Sequence, residues 1–177
     1  MKEEEHQQQQ QREEQVIKHP SLREGLGRPS DNQVTQHPSL REGLGGLYSL
    51  PKITDPRGNL TFAEAQSMVP FDIKRAYWVY DVPAGESRGG HAHKRLKQFV
   101  VALSGSFHVT LDNGYERQTV LLNHPYQGLL IDVNTWRTLD DFSSGAVCLV
   151  LASEHYDEDD YIYDYDEFLA YIGRPSK

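Results

Sequence analysis

From Leu47 onward the apolar residues fall in short runs rich in Val, Ile, Leu, Phe and Tyr, broken by turn-forming residues at intervals of roughly eight to twelve positions. That texture belongs to an all-β sandwich or barrel. It predicts strands over 73–82, 97–104, 106–111, 117–122, 128–133, 136–142 and 146–152. Asp112-Asn113-Gly114 falls between two of these runs and predicts a tight hairpin, because Asn-Gly readily supplies the positive φ angles of the primed turns. Residues 103–106, with Gly105, predict a second turn. Only the end of the chain changes period: Phe168, Leu169 and Ile172, with Tyr165 one turn earlier, predict a short helix over 164–172 that caps the sheets.

The start of the chain has a different texture. MKEEEHQQQQQREEQ is a polar, low-complexity run, and HPSLREGLG occurs at His19 and again at His37. Two Gly- and Pro-containing copies are too few for a solenoid, which stacks several units to bury a core. Residues 1–46 therefore read as a disordered extension, helical at most over 3–18, and residues 47–177 as one folded domain. The repeated His-Pro-Ser offers no metal-site spacing and reads as a duplicated linker.

At 177 residues the chain is long enough for one domain with a continuous core. Its single cysteine, Cys148, lies in the apolar run AVCLVLA and has no partner within the chain, which suits a reducing, cytoplasmic setting. No apolar stretch is long enough to span a bilayer, so no membrane partner is expected. A formal charge of −8 excludes sequence-independent nucleic-acid binding, which requires a basic face. The charge is uneven: eight acidic residues crowd between Glu154 and Glu167, while Arg88, Lys94, Arg95 and Lys97 cluster. From composition alone that basic cluster suits a small anion as well as it suits a solvated edge.

The stretch that carries chemistry is Gly85 through Gln98. In a strand, residues two apart share a face, so His91 and His93 project together. With Gly85 ahead of them and Gln98 and Gly105 behind, the spacing resembles the first motif of the cupins, whose histidines usually hold a metal with a Glu and a third histidine. Here the Glu position is Gln98, and the expected third histidine is Arg137, a cation that repels a metal. The imidazoles are then available for proton transfer near neutral pH.

The resemblance is closer than fold. Asp55-Pro-Arg57-Gly58, Ile73-Lys-Arg75-Ala-Tyr77, Arg88-Gly-Gly-His91-Ala-His93-Lys94, Trp136, Asp141-Phe-Ser-Ser144 and Tyr156-Asp-Glu158 with Asp160-Tyr161 together resemble the WxcM-like or FdtA-type family, from about Leu47 to Ile172. These are dTDP-4-keto-6-deoxyglucose 3,4-ketoisomerases. The resemblance implies a cupin (jelly-roll, RmlC-like) barrel, a nucleotide-sugar substrate, a homodimer with strand exchange, and no metal or organic cofactor. It also implies His91 and His93 as the acid/base pair, His93 being the better placed for the carbon-bound proton. It suggests Arg57 and Arg137, with Tyr77 as a neutral donor, for the oxygen that gains charge. Arg75 and Arg88 are then the candidates for the diphosphate, and Gln98 for orienting an imidazole. A metal-free cupin epimerase and a non-catalytic sugar-nucleotide-binding module stay open beside this reading.

Overall fold

The computed structural model describes Gln36–His37 and residues 44–174. The extension expected over residues 1–46 lies outside the described residues except for its last positions and the pair Gln36–His37. Alternating burial builds two antiparallel sheets. The six-stranded sheet runs β1 (Gln36–His37), β2 (Gly46–Ser49), β10 (Gln127–Ile131), β7 (Gln98–Ser104), β12 (Val147–Ala152) and β5 (Arg75–Tyr80). The five-stranded sheet runs β13 (Tyr161–Ile162), β6 (Arg88–His93), β11 (Trp136–Asp140), β8 (Phe107–Asp112) and β9 (Arg117–Leu122). Sequential strands repeatedly cross from one sheet to the other, the pattern of a jelly roll. A separate ribbon, β3 (Lys52–Asp55) with β4 (Gly58–Thr61), pairs only with itself.

The period-2 pattern decides which side chains enter the core. Val100 and Ala102 of β7, Cys148 and Val150 of β12, and Leu129 and Ile131 of β10 meet Phe107, Val109 and Leu111 of β8 between the sheets. The alternate residues Phe99, Val101, Leu130 and Leu151 face the other way and are covered by Met68, Val69 and Phe71. On the outer side of the second sheet, α1 (Tyr165–Tyr171) seats Phe168 against Ala92 and Ile162. Asp164 caps this helix by accepting the Glu167 N–H at 2.8 Å.

Both predicted turns exist, the first with a different geometry. Asp112 pairs with Arg117, so the β8–β9 loop has four residues and only Gly114 takes a positive φ. Asn113 instead accepts the N–H groups of Tyr115 and Glu116, each at 2.9 Å, tightening the loop by side-chain bonding. Gly105, at φ 64°, turns the chain from the first sheet to the second. A Cβ there would lie 2.8 Å from Ala146 Cα.

The barrel takes in residues that the sequence reading left in the extension. Leu44, inside the second HPSLREGLG copy, is fully buried in the core, and Gly46 pairs with Leu130. Removing a Leu side chain from such a site costs the transfer term plus a cavity. Leu44→Ala is expected to destabilise the protein by about 2–5 kcal/mol in urea titrations. A change within error would mean that residues before Leu47 are dispensable to the core.

Candidate active site

A cavity of about 330 Å³ opens at one end of the barrel, with Val79, Val100, Ile131, Leu139 and Val150 as its apolar floor. Its polar wall comes from five strands. Arg75 and Tyr77 point inward from β5, Arg88 and His91 from β6, Gln98 from β7 and Arg137 from β11, and Tyr161 of β13 completes it.

The β6–β11 pairing carries the chemistry. His91 pairs with Arg137 and Gly89 with Thr138, so Gly90 is an extra residue and the ladder bulges there. Gly89, at φ 84°, lets the strands close up: a Cβ would meet the Arg137 carbonyl oxygen at 2.7 Å. Directly paired residues share a face, which sets the Arg137 side chain beside His91. The Arg137 residue is 1% exposed; its Nη1 donates to the His91 carbonyl at 3.0 Å, while Nε and Nη2 have no protein partner. Burial lowers its pKa to about 10, opposed by Tyr77, Tyr161 and Asp160, so it stays a cation at neutral pH.

That cation and burial act on the imidazoles. Burial first, then Arg137, lowers the His91 pKa to about 4, against a hydrogen bond to the Gly89 backbone that raises it. His93 is likewise held far below the ordinary imidazole value, by burial first and then Arg137, His91 and Arg75. Both rings are therefore neutral at physiological pH, and a neutral imidazole is the form that accepts a proton.

The two histidines are not equivalent. His91 lines the cavity. His93 is fully buried one layer behind, its ring 4.9 Å from His91 and 4.3 Å from Tyr161 between centroids. Its Nδ1 lies 3.0 Å from Asp160 Oδ2. The expectation that His93 is better placed for a carbon-bound proton thus meets a wall: no face of that ring borders the cavity.

Tyr77 does border it. Gln98 Nε2 donates to the Tyr77 hydroxyl oxygen at 2.7 Å, which leaves the phenolic proton free for the cavity. Gln98 thus orients the phenol, not an imidazole. Burial, the largest cause, pushes the Tyr77 pKa up to about 12, so it is a neutral donor. The Arg75 guanidinium carbon sits 5.2 Å from the Tyr77 ring centroid and 5.5 Å from that of Tyr156, with Nε unpartnered. Arg88 is exposed at the rim. Arg57 is not brought to the cavity: at the tip of the β3–β4 ribbon its side chain is 86% exposed and held by Asp55 at 2.6 Å. The remaining basic cluster is engaged elsewhere: Lys94 Nζ donates to the Asp159 carbonyl at 2.9 Å and Arg95 pairs with Asp157, both in the acidic segment, while Lys97 pairs with Asp132 at 3.3 Å. Asp160 and Tyr161 were missed as site residues because they sit in that acidic run, where a solvated face is the default expectation.

The donor set does not fit the metal of other cupins. Gln98 turns its amide nitrogen to Tyr77, and a guanidinium closes the position of the third histidine.

Residues 45–173 match the family model described as FdtA, WxcM-like, C-terminal. A curated relative, TDP-4-oxo-6-deoxy-alpha-D-glucose-3,4-oxoisomerase of Aneurinibacillus thermoaerophilus, is 46% identical over 128 residues, 72% of this chain and 92% of the relative. The structure of QdtA, a sugar 3,4-ketoisomerase from Thermoanaerobacterium thermosaccharolyticum in complex with TDP, is 40% identical with a TM-score of 0.73, covering 75% of this chain and 97% of QdtA. A 3,4-ketoisomerase from Helicobacter canadensis is 42% identical with a TM-score of 0.70, covering 72% and 96%. With its barrel, its paired histidines and its cationic wall, the chain belongs to the FdtA, WxcM-like family.

Proposed function

We infer that this protein is a 3,4-ketoisomerase acting on TDP-4-keto-6-deoxyglucose, and that it works in the cytoplasm in deoxysugar biosynthesis. The observation that carries the reading is a neutral imidazole, His91, facing the same cavity as a buried guanidinium with two unpartnered nitrogens. The oxoisomerase relative and the TDP-bound QdtA structure supply the substrate class.

The chemistry follows from these groups. The C4 ketone acidifies the C3–H bond. His91 removes that proton, and the electron pair moves into a C3–C4 double bond, placing negative charge on the C4 oxygen. Arg137 Nε and Nη2, together with the Tyr77 hydroxyl, meet that oxygen as charge develops. The C4 oxygen takes up the proton that the C3 hydroxyl gives up, the C3 ketone forms, and protonated His91 returns a proton to carbon C4. One carbon-bound and one oxygen-bound proton have then each moved by one position, with no net change. Arg75 and Arg88 hold the diphosphate through paired N–H donors.

The subunit arrangement we propose is a homodimer with strand exchange. Trp78 and Tyr80, 60% and 57% exposed, stand on the outer face of β5, an apolar surface that a second copy would cover. The β3–β4 ribbon is mostly exposed and pairs only with itself; such ribbons are marginal alone in water, which makes it the element to exchange. Among the described residues no helix is long and apolar enough to cross a membrane.

Three outcomes test this reading. With TDP-4-keto-6-deoxyglucose in deuterated water, NMR is expected to show a 3-keto product carrying deuterium, and His91→Asn is expected to lower kcat at least roughly a hundredfold while TDP still binds. Near-normal turnover in that variant would remove His91 as the base.

The rate is also expected to have an unusual acid limb. Neutral His91 is the active form, so kcat/KM rises with pH through its pKa and is flat above. Because that pKa is lowered to about 4, the plateau should extend well below 6.5, the ordinary imidazole value. A limb centred at the ordinary value would contradict the buried, cation-facing ring.

In light scattering after gel filtration, the full chain is expected to elute at twice its own mass, and Trp78→Glu with Tyr80→Glu as a monomer. A wild-type monomer would overturn the dimer.

A further inference from the structure

The chemistry above leaves the buried carboxylate of Asp160 unused. Asp160 ends a single 3-10 turn, Glu158–Asp160, which Asp157 caps by accepting the Asp159 N–H. Its own side chain is 5% exposed and faces inward, under the strap that β13 forms along β6, where Tyr161 pairs with His93. Asp160 Oδ1 accepts the Arg95 N–H at 2.8 Å and Oδ2 the Leu96 N–H at 3.2 Å. The Lys94 N–H donates to its carbonyl at 3.0 Å. Three successive backbone donors thus fix this residue, far more than solvent exposure among neighbouring acids would lead one to expect.

What this fixed carboxylate meets is His93. Oδ2 lies 3.0 Å from Nδ1, within hydrogen-bond distance, although the ring nitrogen is not aligned for a full bond in this rotamer and neither ring nitrogen has another protein partner. The groups that surround the ring are Asp160, His91, Tyr161, Arg137 and Arg75. Of these, a carboxylate beside Nδ1 admits one arrangement of a neutral imidazole: the proton on Nδ1, the lone pair on Nε2. The opposite tautomer would set two lone pairs against each other at a fully buried ring.

We propose that Asp160 is a positioning residue of this active site, fixing His93 as the Nδ1–H tautomer so that His93 holds the edge-packed His91 ring in its cavity-facing orientation. The inference rests on His91 as the base. His93 cannot reach substrate through the cavity wall, so its contribution passes through His91, and Asp160 acts one residue further back. Carboxylates that orient an imidazole in this way typically matter by about 10- to 100-fold where they have been removed around metal-bound histidines.

The test uses the full chain labelled with ¹⁵N-histidine. In the wild type, the His93 imidazole is expected to show the Nδ1–H tautomer. In Asp160→Asn, whose amide presents a donor to Nδ1, it is expected to switch to Nε2–H, with kcat lowered about 10- to 100-fold and the Kd for TDP within about twofold. Arg95→Ala removes the side-chain contacts to Asp157 and Asp160 but keeps the backbone N–H, and is expected to leave kcat unchanged. An Nε2–H tautomer in the wild type overturns the proposal even if Asp160→Asn does not fold. So does an unchanged kcat in Asp160→Asn, or a lowered kcat with the tautomer unaltered, which would assign Asp160 to holding the strap alone. Failure of the underlying reading looks different: turnover then survives His91→Asn, whatever Asp160 does.

Discussion

A guanidinium sealed inside a β-barrel is the constraint on which the rest of this site depends. Removing such a charge from water is expensive, and a single hydrogen bond to the His91 carbonyl does not offset it. The surroundings hold it in place: the bulge at Gly90 brings β6 and β11 together around it, and Tyr77, Tyr161 and Asp160 all favour its charged form. In return Arg137 imposes two things on its neighbours. It adds to burial, the larger cause, in keeping the nearby imidazoles neutral, and it offers two unsatisfied N–H groups where an oxygen can become negative. The state of the imidazoles and the anion site thus both depend on it.

The same logic accounts for the charge segregation along the chain. The acidic stretch after Ala152 and the basic stretch after Gly90 resemble independent solvated faces, yet they close on each other: Lys94 and Arg95 bind the turn that contains Asp157 and Asp159, and Asp160 passes beneath to His93. What remains for substrate is the pair of arginines outside this clasp, Arg75 and Arg88. A net acidic protein thus presents a cationic cavity because its other nearby cations are already neutralised by partners.

Much of this was legible from sequence, for identifiable reasons. Strands β7 to β12 are short apolar or β-branched runs bounded by turn residues, so their existence follows from the sequence, although continuous runs such as those of β7, β10 and β12 do not reveal which face is which. Strands β2, β3 and β4 are short, partly polar and interrupted by Pro56 and Gly58, which conceals them. The repeat misled in a physical way: its second copy contains Leu44, a core residue, but one Leu in a Gly-rich run gives no periodicity to detect. Of the candidate site residues, His91, Arg75, Arg88, Arg137, Tyr77 and Gln98 are brought to one cavity. His93, named with them, lies outside its lining, because two residues on one strand face share a direction without sharing a depth. Asp160 enters the sequence reading only as part of the family resemblance; its contact with His93 exists only once β13 lies along β6.

That difference in depth bears on why a metal-binding strand pattern can serve proton chemistry. A metal draws both histidines of the motif to one point and takes up the lone pair of each. With Arg137 as the fixed charge, the positive centre no longer competes for those lone pairs, because a guanidinium only donates. In the proposed mechanism His91 is then left with a free acceptor facing the cavity, and His93, with Asp160 behind it, is left to set orientation. A base has to be both available and held still, and dividing the two tasks between two imidazoles meets both requirements without a bound ion.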